Sequence, residues 1–211
     1  MISEKENKEL TRLSHNAIAL SYYNEYHSDK SDLVYFDEFI NMGINKALDL
    51  GCGMGHYSAY MHSKGLDVVG VDFSSGMLDI ARKNSPGINF IEADISNLPD
   101  TLDNDFNAVV LAFVIHHISK EETNKCLKDL KKYLKKEAYL MIIYRSGKNT
   151  LVEEEPFNRN FKYLIKEYSD DELIALLKEN GFNTIKIIEK PYSDDENSLS
   201  KSTKILYAKS F

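Results

Sequence analysis

The chain has 211 residues, of which 43% are hydrophobic and 28% charged, and its formal net charge at pH 7 is −7. This length and composition fit one globular domain, and the apolar runs are too short to span a bilayer. An acidic chain is a poor general binder of phosphate backbones, so the charge argues against nucleic acid as a partner. The charged N-terminus lacks the apolar segment of an export signal and the two cysteines lie far apart, so we expect a cytoplasmic location without a disulfide.

Residues 3–42 contain no glycine or proline, and their apolar positions repeat at helical spacing. The repeat breaks near 27–31, so the segment predicts two helices. The end of the first helix is unusually aromatic, with Tyr22 and Tyr23 side by side. These rings either pack against the core or contact a substrate. The apolar positions of the first helix are Leu10, Leu13, Ala17 and Leu20.

Residues 46–58 predict a strand, a glycine-rich turn and a helix. The turn reads DLGCGMG at 49–55. Gly51 and Gly53 have no Cβ, so they can adopt positive φ and present backbone N–H groups to a ligand. A dinucleotide-binding turn would place its third glycine at position 56, which is His56 here. A nucleotide-like ligand is therefore expected, and a nicotinamide-dependent oxidoreductase is disfavoured.

Two further predicted strands each end in an acidic residue. The nearly continuous apolar run at 67–72 predicts a buried parallel strand that ends in Asp72. This carboxylate lies where nucleotide-binding folds hold ribose hydroxyls, and the alternative is that it caps the next helix, for which Ser74 is better placed. The strand at 88–93 precedes Asp94, which either contacts a ligand or lies in a surface loop.

The apolar segment 106–115 predicts the central strand, and it leads directly into His116 and His117. Ligands of open α/β sheets bind beyond the carboxyl ends of the strands, so both histidines should lie near the site. For each histidine a buried structural role is as well supported as catalysis. A metal site is disfavoured because no carboxylate or cysteine lies at ligand spacing.

The rest of the chain predicts a strand, a covering loop, a helix and two final strands. The loop has little periodicity and is expected to contain short helical turns. The last two strands have no helix between them, so they must pair as an antiparallel hairpin. Residues 193–203, between these strands, have the composition of a mobile loop. In order, the five elements are predicted at 138–144, 145–168, 169–181, 184–189 and 204–209.

The glycine-rich turn, together with the segments VVGVD, EADI and LAFVIHHI in the same order, resembles the class I S-adenosylmethionine-dependent methyltransferases. The resemblance implies an α/β fold with a doubly wound, mainly parallel, seven-stranded Rossmann-like sheet and an antiparallel C-terminal hairpin. It also implies one domain of four parts. These are an N-terminal helical cap at 1–44, a cofactor-binding core at 45–144, a lid insertion at 145–168 and a C-terminal helix and hairpin at 169–211.

The resemblance also implies roles for individual residues. Asp72 is expected to bind the ribose hydroxyls, and Asp94 the adenine amino group beside the backbone N–H of Ile95, with Phe73 and Met77 as apolar walls of the adenine. The implied cofactor-binding residues are Asp49, Gly51, Cys52, Gly53, Gly55, Asp72, Phe73, Met77, Asp94, Ile95 and Ala112. The candidate catalytic residues are His116, Tyr22, Tyr23 and His117. We expect His116 to face the transferred methyl group and His117 to pack under the next helix.

The expected activity is methyl transfer from S-adenosylmethionine to a nucleophilic nitrogen, oxygen or sulfur atom of a small-molecule acceptor. The segment LAFV at 111–114 lacks the Asn-Pro-Pro-Tyr-like motif of enzymes that methylate amides or exocyclic amines, so nucleic-acid bases are disfavoured acceptors. A non-catalytic module that binds S-adenosylmethionine and regulates a partner is the alternative, since fold does not fix function. The expected assembly is a monomer or a homodimer.

Overall fold

The computed structural model describes residues 2–191 and 202–211, so the predicted mobile loop at 193–203 lies outside the described residues except for its last two positions. The helices are α1 (Glu4–Tyr26), α2 (Leu33–Ile40), α3 (His56–Ser63), α4 (Ser75–Asn84), α5 (Lys120–Asp129) and α6 (Asp170–Glu179). The strands are β1 (Lys46–Leu50), β2 (Asp67–Asp72), β3 (Asn89–Glu92), β4 (Phe106–Ala112), β5 (Leu134–Arg145), β6 (Thr150–Glu154), β7 (Lys162–Lys166), β8 (Phe182–Glu189) and β9 (Thr203–Ser210).

Seven of these strands form one sheet in the order β3-β2-β1-β4-β5-β9-β8. The pairs among β1 to β5 are parallel, whereas β9 runs antiparallel to both β5 and β8. This confirms the predicted mainly parallel sheet with a C-terminal hairpin. The chain winds from β1 out to β3 and then returns to place β4 on the other side of β1. A crevice forms where the strand order reverses in this way, at the carboxyl ends of β1 and β4.

The sheet is covered on both faces, which explains the continuous apolar runs of its strands. In β4, Val109 and Leu111 belong to a hydrophobic cluster that includes side chains of α5 and α6. Their neighbours Ala108 and Val110 belong to a second cluster with side chains of α2, α3 and α4. Successive residues of a strand point to opposite faces, so a strand between two helical layers must be apolar at every position.

Helix α1 lies over the carboxyl ends of the central strands, and its buried face differs from the one that its apolar spacing indicates. Leu13 and Leu20 are 42% and 67% exposed. The apolar spacing of α1 therefore does not mark its buried face, because α1 covers a cavity and polar backbone rather than the apolar side of the sheet. The residues that α1 buries are Asn7, Thr11, Ser14, Ile18 and Ala19.

The insertion after β5 is a β-hairpin, so the predicted loop with short helical turns is wrong. Strands β6 and β7 pair antiparallel from Thr150 opposite Lys166 to Glu154 opposite Lys162. The sequence lacks helical periodicity because these residues form strands, whose side chains alternate between two faces, and the hairpin packs beside α1. Asn7 of α1 connects the two, since its Oδ1 accepts the β7 backbone N–H of Leu164 at 2.5 Å.

Within residues 2–191 and 202–211, none of the helices is long and apolar enough to cross a bilayer.

Candidate active site

A cavity of about 480 Å³ lies beyond the carboxyl ends of β1, β2, β3 and β4 and beneath α1. The position is the one at which open α/β sheets bind ligands. The structure thus brings most of the predicted strand-end residues to one place. Those in the cavity wall are Gly51, Asp72, Phe73, Asp94, Ile95 and His117.

The glycine-rich turn follows β1, and two of its glycines are required by close packing. Gly51 has φ of 70°, and a Cβ there would lie 2.4 Å from the Cγ2 of Val114. Gly55 has φ of 79°, and a Cβ there would lie 2.9 Å from the ring of Phe90. The turn therefore packs tightly against β3 and against the segment that follows β4. Gly53 has open space around it.

Asp72 ends β2 and lies in the cavity wall with 5% of its surface exposed. Its Oδ2 accepts the backbone N–H of Gly53 and its Oδ1 accepts that of Ser74, both at 2.8 Å. Burial raises the pKa of this carboxyl to about 6. The cap of α4 is Ser74, whose Oγ accepts the N–H of Met77 at 3.2 Å. Asp72 therefore does not serve as the N-cap of α4.

Asp49 lies behind the cavity wall in β1, and only 1% of it is exposed. Its Oδ2 accepts a hydrogen bond from the hydroxyl of Ser58 at 2.5 Å. Burial, with a smaller effect from the charge of Asp72, raises the pKa of Asp49 to about 7. No lysine or arginine within the described part of the chain forms an ion pair with either carboxylate, so the region favours a cationic ligand.

Asp94 and Ile95 follow β3 and close one end of the cavity. The Oδ1 of Asp94 accepts the backbone N–H and the hydroxyl of Ser96, both at 2.8 Å. Its Oδ2 forms an ion pair with Lys8 of α1, which also pairs with Glu122 at 2.5 Å. Burial opposes ionisation of Asp94, but the bonds from Lys8 and Ser96 outweigh it and hold the pKa below its usual value.

The two histidines after β4 lie opposite to expectation, because His117 lines the cavity and His116, 5% exposed, does not. Strand β4 ends at Ala112, Phe113 takes a φ of 60°, and the N–H of His117 bonds to the carbonyl of Val114 at 3.0 Å. The histidines are therefore in a turn, where the alternation of a strand does not apply. Burial lowers the pKa of both imidazoles, that of His116 to about 3.

The tyrosines at the end of α1 lie in different surroundings. Tyr22 contacts Tyr26 and Phe157, with ring centroids 4.7 and 6.1 Å away. Tyr23 instead stacks on His27 at 4.7 Å, at the end of the helix. Burial raises the pKa of Tyr22, so its phenol keeps its proton at neutral pH. Both tyrosines nevertheless belong to one hydrophobic group, which we call the tyrosine cluster: Tyr22, Tyr23, Tyr26, Ile80 and Phe157 pack against buried Met54, Met77, Ile18 and Ala19.

The predicted cofactor-binding residues that do not line the cavity are Asp49, Cys52, Gly53, Gly55, Met77 and Ala112. Met77 packs in the tyrosine cluster, because the first turn of α4 directs it towards α1, and its place beside the adenine stays a prediction. Ala112 and Cys52 are 9% and 8% exposed and pack in the core on the side of α2 and α3. Burial raises the pKa of the Cys52 thiol well above its usual value, which makes it unreactive.

Sequence reasoning missed the contribution of α1 to the cavity, which consists of Lys8, Thr11 and His15. These positions are three and four residues apart, so they share one face of a helix. A polar residue at each step of that spacing was the available signal. Phe113 was also missed as a wall residue, and its positive φ, uncommon for a residue with a side chain, is a mark of functional sites.

The fold and the cavity define a protein that binds a nucleotide-like ligand at the strand ends, and comparison with known proteins identifies its family. A family model described as "Methyltransferase domain" matches residues 47–137. An uncharacterized methyltransferase of Oceanobacillus iheyensis is 25% identical, over 74% of this chain and 70% of that protein. A demethylmenaquinone methyltransferase of Thermotoga maritima is 34% identical, over 65% of this chain and 69% of that protein.

The fold is also that of a solved methyltransferase. The structure of Burkholderia thailandensis 1,6-didemethyltoxoflavin-N1-methyltransferase with S-adenosylhomocysteine matches with a TM-score of 0.73 and 16% identity, over 100% of this chain and 91% of that one. The chain belongs to the class I S-adenosylmethionine-dependent methyltransferases, and its cofactor is S-adenosylmethionine. The oxidoreductase and the non-catalytic module are therefore set aside. Against several other demethylmenaquinone methyltransferases the match spans 30–54% of their length.

The residues at the strand ends fit this cofactor. S-adenosylmethionine carries a positive sulfonium, and the buried carboxylates Asp49 and Asp72 have no cationic side chain paired with them in the described chain. The wall also offers the carboxylate of Asp94, the ring of Phe73 and the aliphatic side chain of Ile95 at the end of the cavity that is closed by Lys8. A cationic, partly apolar ligand is therefore matched in both charge and polarity.

Proposed function

We propose that this methyltransferase transfers the methyl group of S-adenosylmethionine to a nucleophilic nitrogen, oxygen or sulfur atom of a small-molecule acceptor, which binds at the tyrosine cluster. The observation that carries the proposal is the position of this cluster. It packs against Met54, which lies inside the glycine-rich turn, and it is built from the N-terminal helix and the hairpin insertion rather than from the core sheet. Acceptor specificity is commonly carried by such added segments on a rigid scaffold.

The relatives support a small-molecule acceptor. The Thermotoga maritima protein is named for demethylmenaquinone, and the Burkholderia thailandensis enzyme for 1,6-didemethyltoxoflavin. The rings of Tyr22, Tyr26 and Phe157 offer an acceptor broad apolar contact, and tyrosine hydroxyls add hydrogen bonds. An acceptor with an unsaturated or apolar ring therefore fits the cluster better than a highly charged one.

Methyl transfer requires little of the protein beyond the correct placement of the acceptor and the methyl group. The bound cofactor supplies a methyl group on a sulfonium, which is a good leaving group. The chain must hold the acceptor in line with that methyl and keep water out. Phe113 and Val114, which line the cavity between the glycine-rich turn and the histidines, are apolar and suit the exclusion of water. Of the four candidate catalytic residues, Tyr22 is the one that we retain for contact with the acceptor.

A turnover screen tests the proposal. The protein would first be titrated with S-adenosylmethionine and S-adenosylhomocysteine by calorimetry. It would then be incubated with S-adenosylmethionine and panels of amines, phenols, enols and thiols, and S-adenosylhomocysteine would be measured by mass spectrometry. We expect product with at least one panel and none without an acceptor, and Asp72→Ala is the matched control in which cofactor binding is weakened. Tight cofactor binding without acceptor-dependent product from any panel would contradict the proposal.

The remaining expectations stay predictions. A cytoplasmic location, the lack of a nucleic-acid partner and a monomeric or homodimeric state follow from the composition and the resemblance alone. Light scattering coupled to size exclusion would decide between monomer and homodimer.

A further inference from the structure

Glu155 follows β6 and lies between the hairpin and α1, with 3% of its surface exposed. Its Oε2 accepts the hydroxyl of Tyr163 at 2.7 Å and that of Ser14 at 3.5 Å. Its Oε1 accepts the backbone N–H of Phe157 at 3.2 Å. Both oxygens accept hydrogen bonds and neither donates one, which is the pattern of an ionised carboxylate. The side chain therefore carries a negative charge in a defined, buried position.

This charge has no cationic partner in residues 2–191 and 202–211, since its three hydrogen-bond donors are neutral. The two preceding carboxylates of the hairpin are paired, Glu153 with Arg145 at 2.8 Å and Glu154 with Lys162 at 2.7 Å. A buried charge is costly when no opposite charge lies beside it. A cationic group bound nearby would lower this cost, so the carboxylate favours a ligand that carries a positive charge.

Glu155 lies between the cofactor cavity and the tyrosine cluster. Its partner Tyr163 has its ring 5.5 Å from that of His117, which lines the cavity. Its partner Phe157 belongs to the tyrosine cluster, and the ring of Phe157 lies 6.1 Å from that of Tyr22. The methyl group and the acceptor must meet between these two regions, so the buried charge lies beside the place where an acceptor binds for reaction.

The charge of Glu155 acts on Tyr22 of the tyrosine cluster. Burial is the main cause that raises the pKa of the Tyr22 phenol, and the charges of Tyr26 and Glu155 add to it. The Tyr22 hydroxyl forms no hydrogen bond with another described residue, so it is available to a ligand. Phenol rings also attract cations to their faces. Tyr22 and Glu155 therefore favour the same kind of ligand, a cation attached to an apolar ring.

We propose that the acceptor carries a positively charged nitrogen, which binds at Tyr22, and that Glu155 selects this acceptor by its charge. The inference rests on the proposed function for the place of the acceptor and adds its chemical class, an apolar or unsaturated ring with one basic nitrogen. Glu155 is a positioning residue, because its charge acts through Tyr22 and Phe157 and not by contact with the reacting atoms. Where this nitrogen is itself methylated, it must first lose its proton to water, since an ammonium group has no lone pair.

A purely structural role of Glu155 makes a different prediction. The carboxylate would then only join the hairpin to α1, through Tyr163 and Ser14. Loss of either the charge or the Tyr163 hydroxyl would lower the midpoint of thermal unfolding, and the charge of a ligand would have no effect on its affinity. The two roles are therefore distinguished by the preference for a charged over a neutral ligand, which a structural bond does not influence.

The test is calorimetric titration of the protein, saturated with S-adenosylhomocysteine, with two pairs of probes at neutral pH. 2-Phenylethylamine is compared with 2-phenylethanol, and tryptamine with tryptophol, so each pair shares its ring and differs in the ammonium group. We expect the wild type to bind the amine of at least one pair about 10-fold more tightly than the alcohol, and Glu155→Gln to bind both about equally. Glu155→Asp and Tyr163→Phe keep the charge and should retain most of the preference. Glu154→Gln is the matched control, since it removes the same charge from the exposed side of the hairpin.

Two results would each overturn the inference. One is a wild type that prefers the amine in neither pair, and the other is a preference that persists in folded Glu155→Gln. The first comparison uses the wild type alone, so it decides the matter even if Glu155→Gln fails to fold. An acceptor that is methylated but has no basic nitrogen would also overturn the inference and leave the proposed function intact. A turnover screen without product would contradict the proposed function, and the ratio of the two Kd values would still decide the inference, because binding of the probes requires no turnover.

Discussion

Gly53 donates its backbone N–H to the Oδ2 of Asp72 over 2.8 Å, and this bond joins the glycine-rich turn after β1 to the acid that ends β2. The register brings them together, since Leu50 lies opposite Val71 in the parallel pair. The two preceding backbone N–H groups of the turn, those of Gly51 and Cys52, both bond to the carbonyl of Val71. The turn and the acid therefore move as one unit and are preorganised for a ligand that contacts both.

Replacing Asp72 should therefore affect the cofactor more than the fold. A buried carboxylate that accepts hydroxyl bonds leaves the ligand's donors unsatisfied when it is removed, and Asp72→Ala also releases Gly53. We expect a loss of about 2–4 kcal/mol in affinity for S-adenosylhomocysteine. Asp94→Ala should cost about 1 kcal/mol, since the backbone of Ile95 remains in place. Calorimetric titration measures both, and an Asp72→Ala protein with wild-type affinity would refute the ribose assignment.

Asp49 predicts a pH dependence of stability. In the fold its carboxyl has a pKa of about 7, because it is buried, whereas in the unfolded chain it ionises near about pH 4. The folded state therefore binds more protons in this window, and the free energy of unfolding falls as the pH rises through it. The loss is about 1.4 kcal/mol for each unit by which the two pKa values differ. Above about pH 7 the loss is complete.

Asp49→Asn cannot ionise and should lack this part of the pH dependence. The free energy of unfolding of the variant, relative to that of the wild type, should therefore be higher at about pH 8 than at about pH 5. Any constant effect of the amide on stability is the same at both pH values and cancels in this comparison. Urea unfolding at the two pH values measures the difference, and Asp79→Asn, at an exposed position of α4, is the control. If the difference in unfolding free energy between Asp49→Asn and the wild type were the same at both pH values, the fold would not raise the pKa of the Asp49 carboxyl.

Because Asn7 of α1 is hydrogen-bonded to the hairpin, we expect α1 and the hairpin to open together. The amide of Asn7 bonds both the N–H and the carbonyl of Leu164, at 2.5 and 3.3 Å, and Asn7 itself is buried. Asn7→Ala leaves those groups unsatisfied, at a cost of about 1–3 kcal/mol. Amide hydrogen exchange should then become faster in α1, β6 and β7 alike, and α6 should stay unchanged.

Ligands should reverse this effect if the two segments form a lid. We expect S-adenosylhomocysteine with an acceptor to slow exchange in α1 and in the hairpin of the wild-type protein. Leu20→Ala is the control on the same helix, at a side chain that is 67% exposed. Exchange that is already slow in the ligand-free wild type and does not respond to ligands would exclude a lid.

The parts of the fold that could be predicted from sequence are those that local constraints determine. The continuous apolar segment of β4 requires cover on both faces, and the absence of a helix between β8 and β9 requires an antiparallel pair. Likewise Gly51 and Asp72 follow strands that are adjacent in a parallel sheet, so both reach the same edge. In each case the structure follows from residues that are close together in the sequence.

The parts that could not be predicted depend on contacts between distant segments. Leu13 and Leu20 have the spacing of a buried stripe, yet α1 turns its polar face inward because Asn7 finds backbone partners in β7. His116 and His117 exchange their expected places because Phe113 adopts a positive φ and ends the strand early. A single sequence shows neither the partner of a helix face nor a strained backbone angle.

The final prediction concerns Tyr22 of α1, whose ring contacts Tyr26 and Phe157. Tyr22→Phe keeps this ring packing and removes only the hydroxyl, which stays protonated in the wild type and can donate to the acceptor. We expect kcat to fall by about 10²-fold while the affinity for S-adenosylhomocysteine changes by less than about threefold. Tyr23→Phe is the matched control, since Tyr23 belongs to the same cluster but its ring stacks on His27 rather than contacting Phe157.

His116 provides the contrast in the same kinetic experiment. Its imidazole is buried, its Nδ1 has no partner among the described residues, and it does not line the cavity. His116→Ala should therefore lower the midpoint of thermal unfolding and leave kcat within a few-fold of the wild type, because the imidazole contributes packing without contact to the acceptor. If His116→Ala instead lost activity at unchanged stability while Tyr22→Phe remained fully active, the acceptor would lie beside β4 rather than beneath the end of α1.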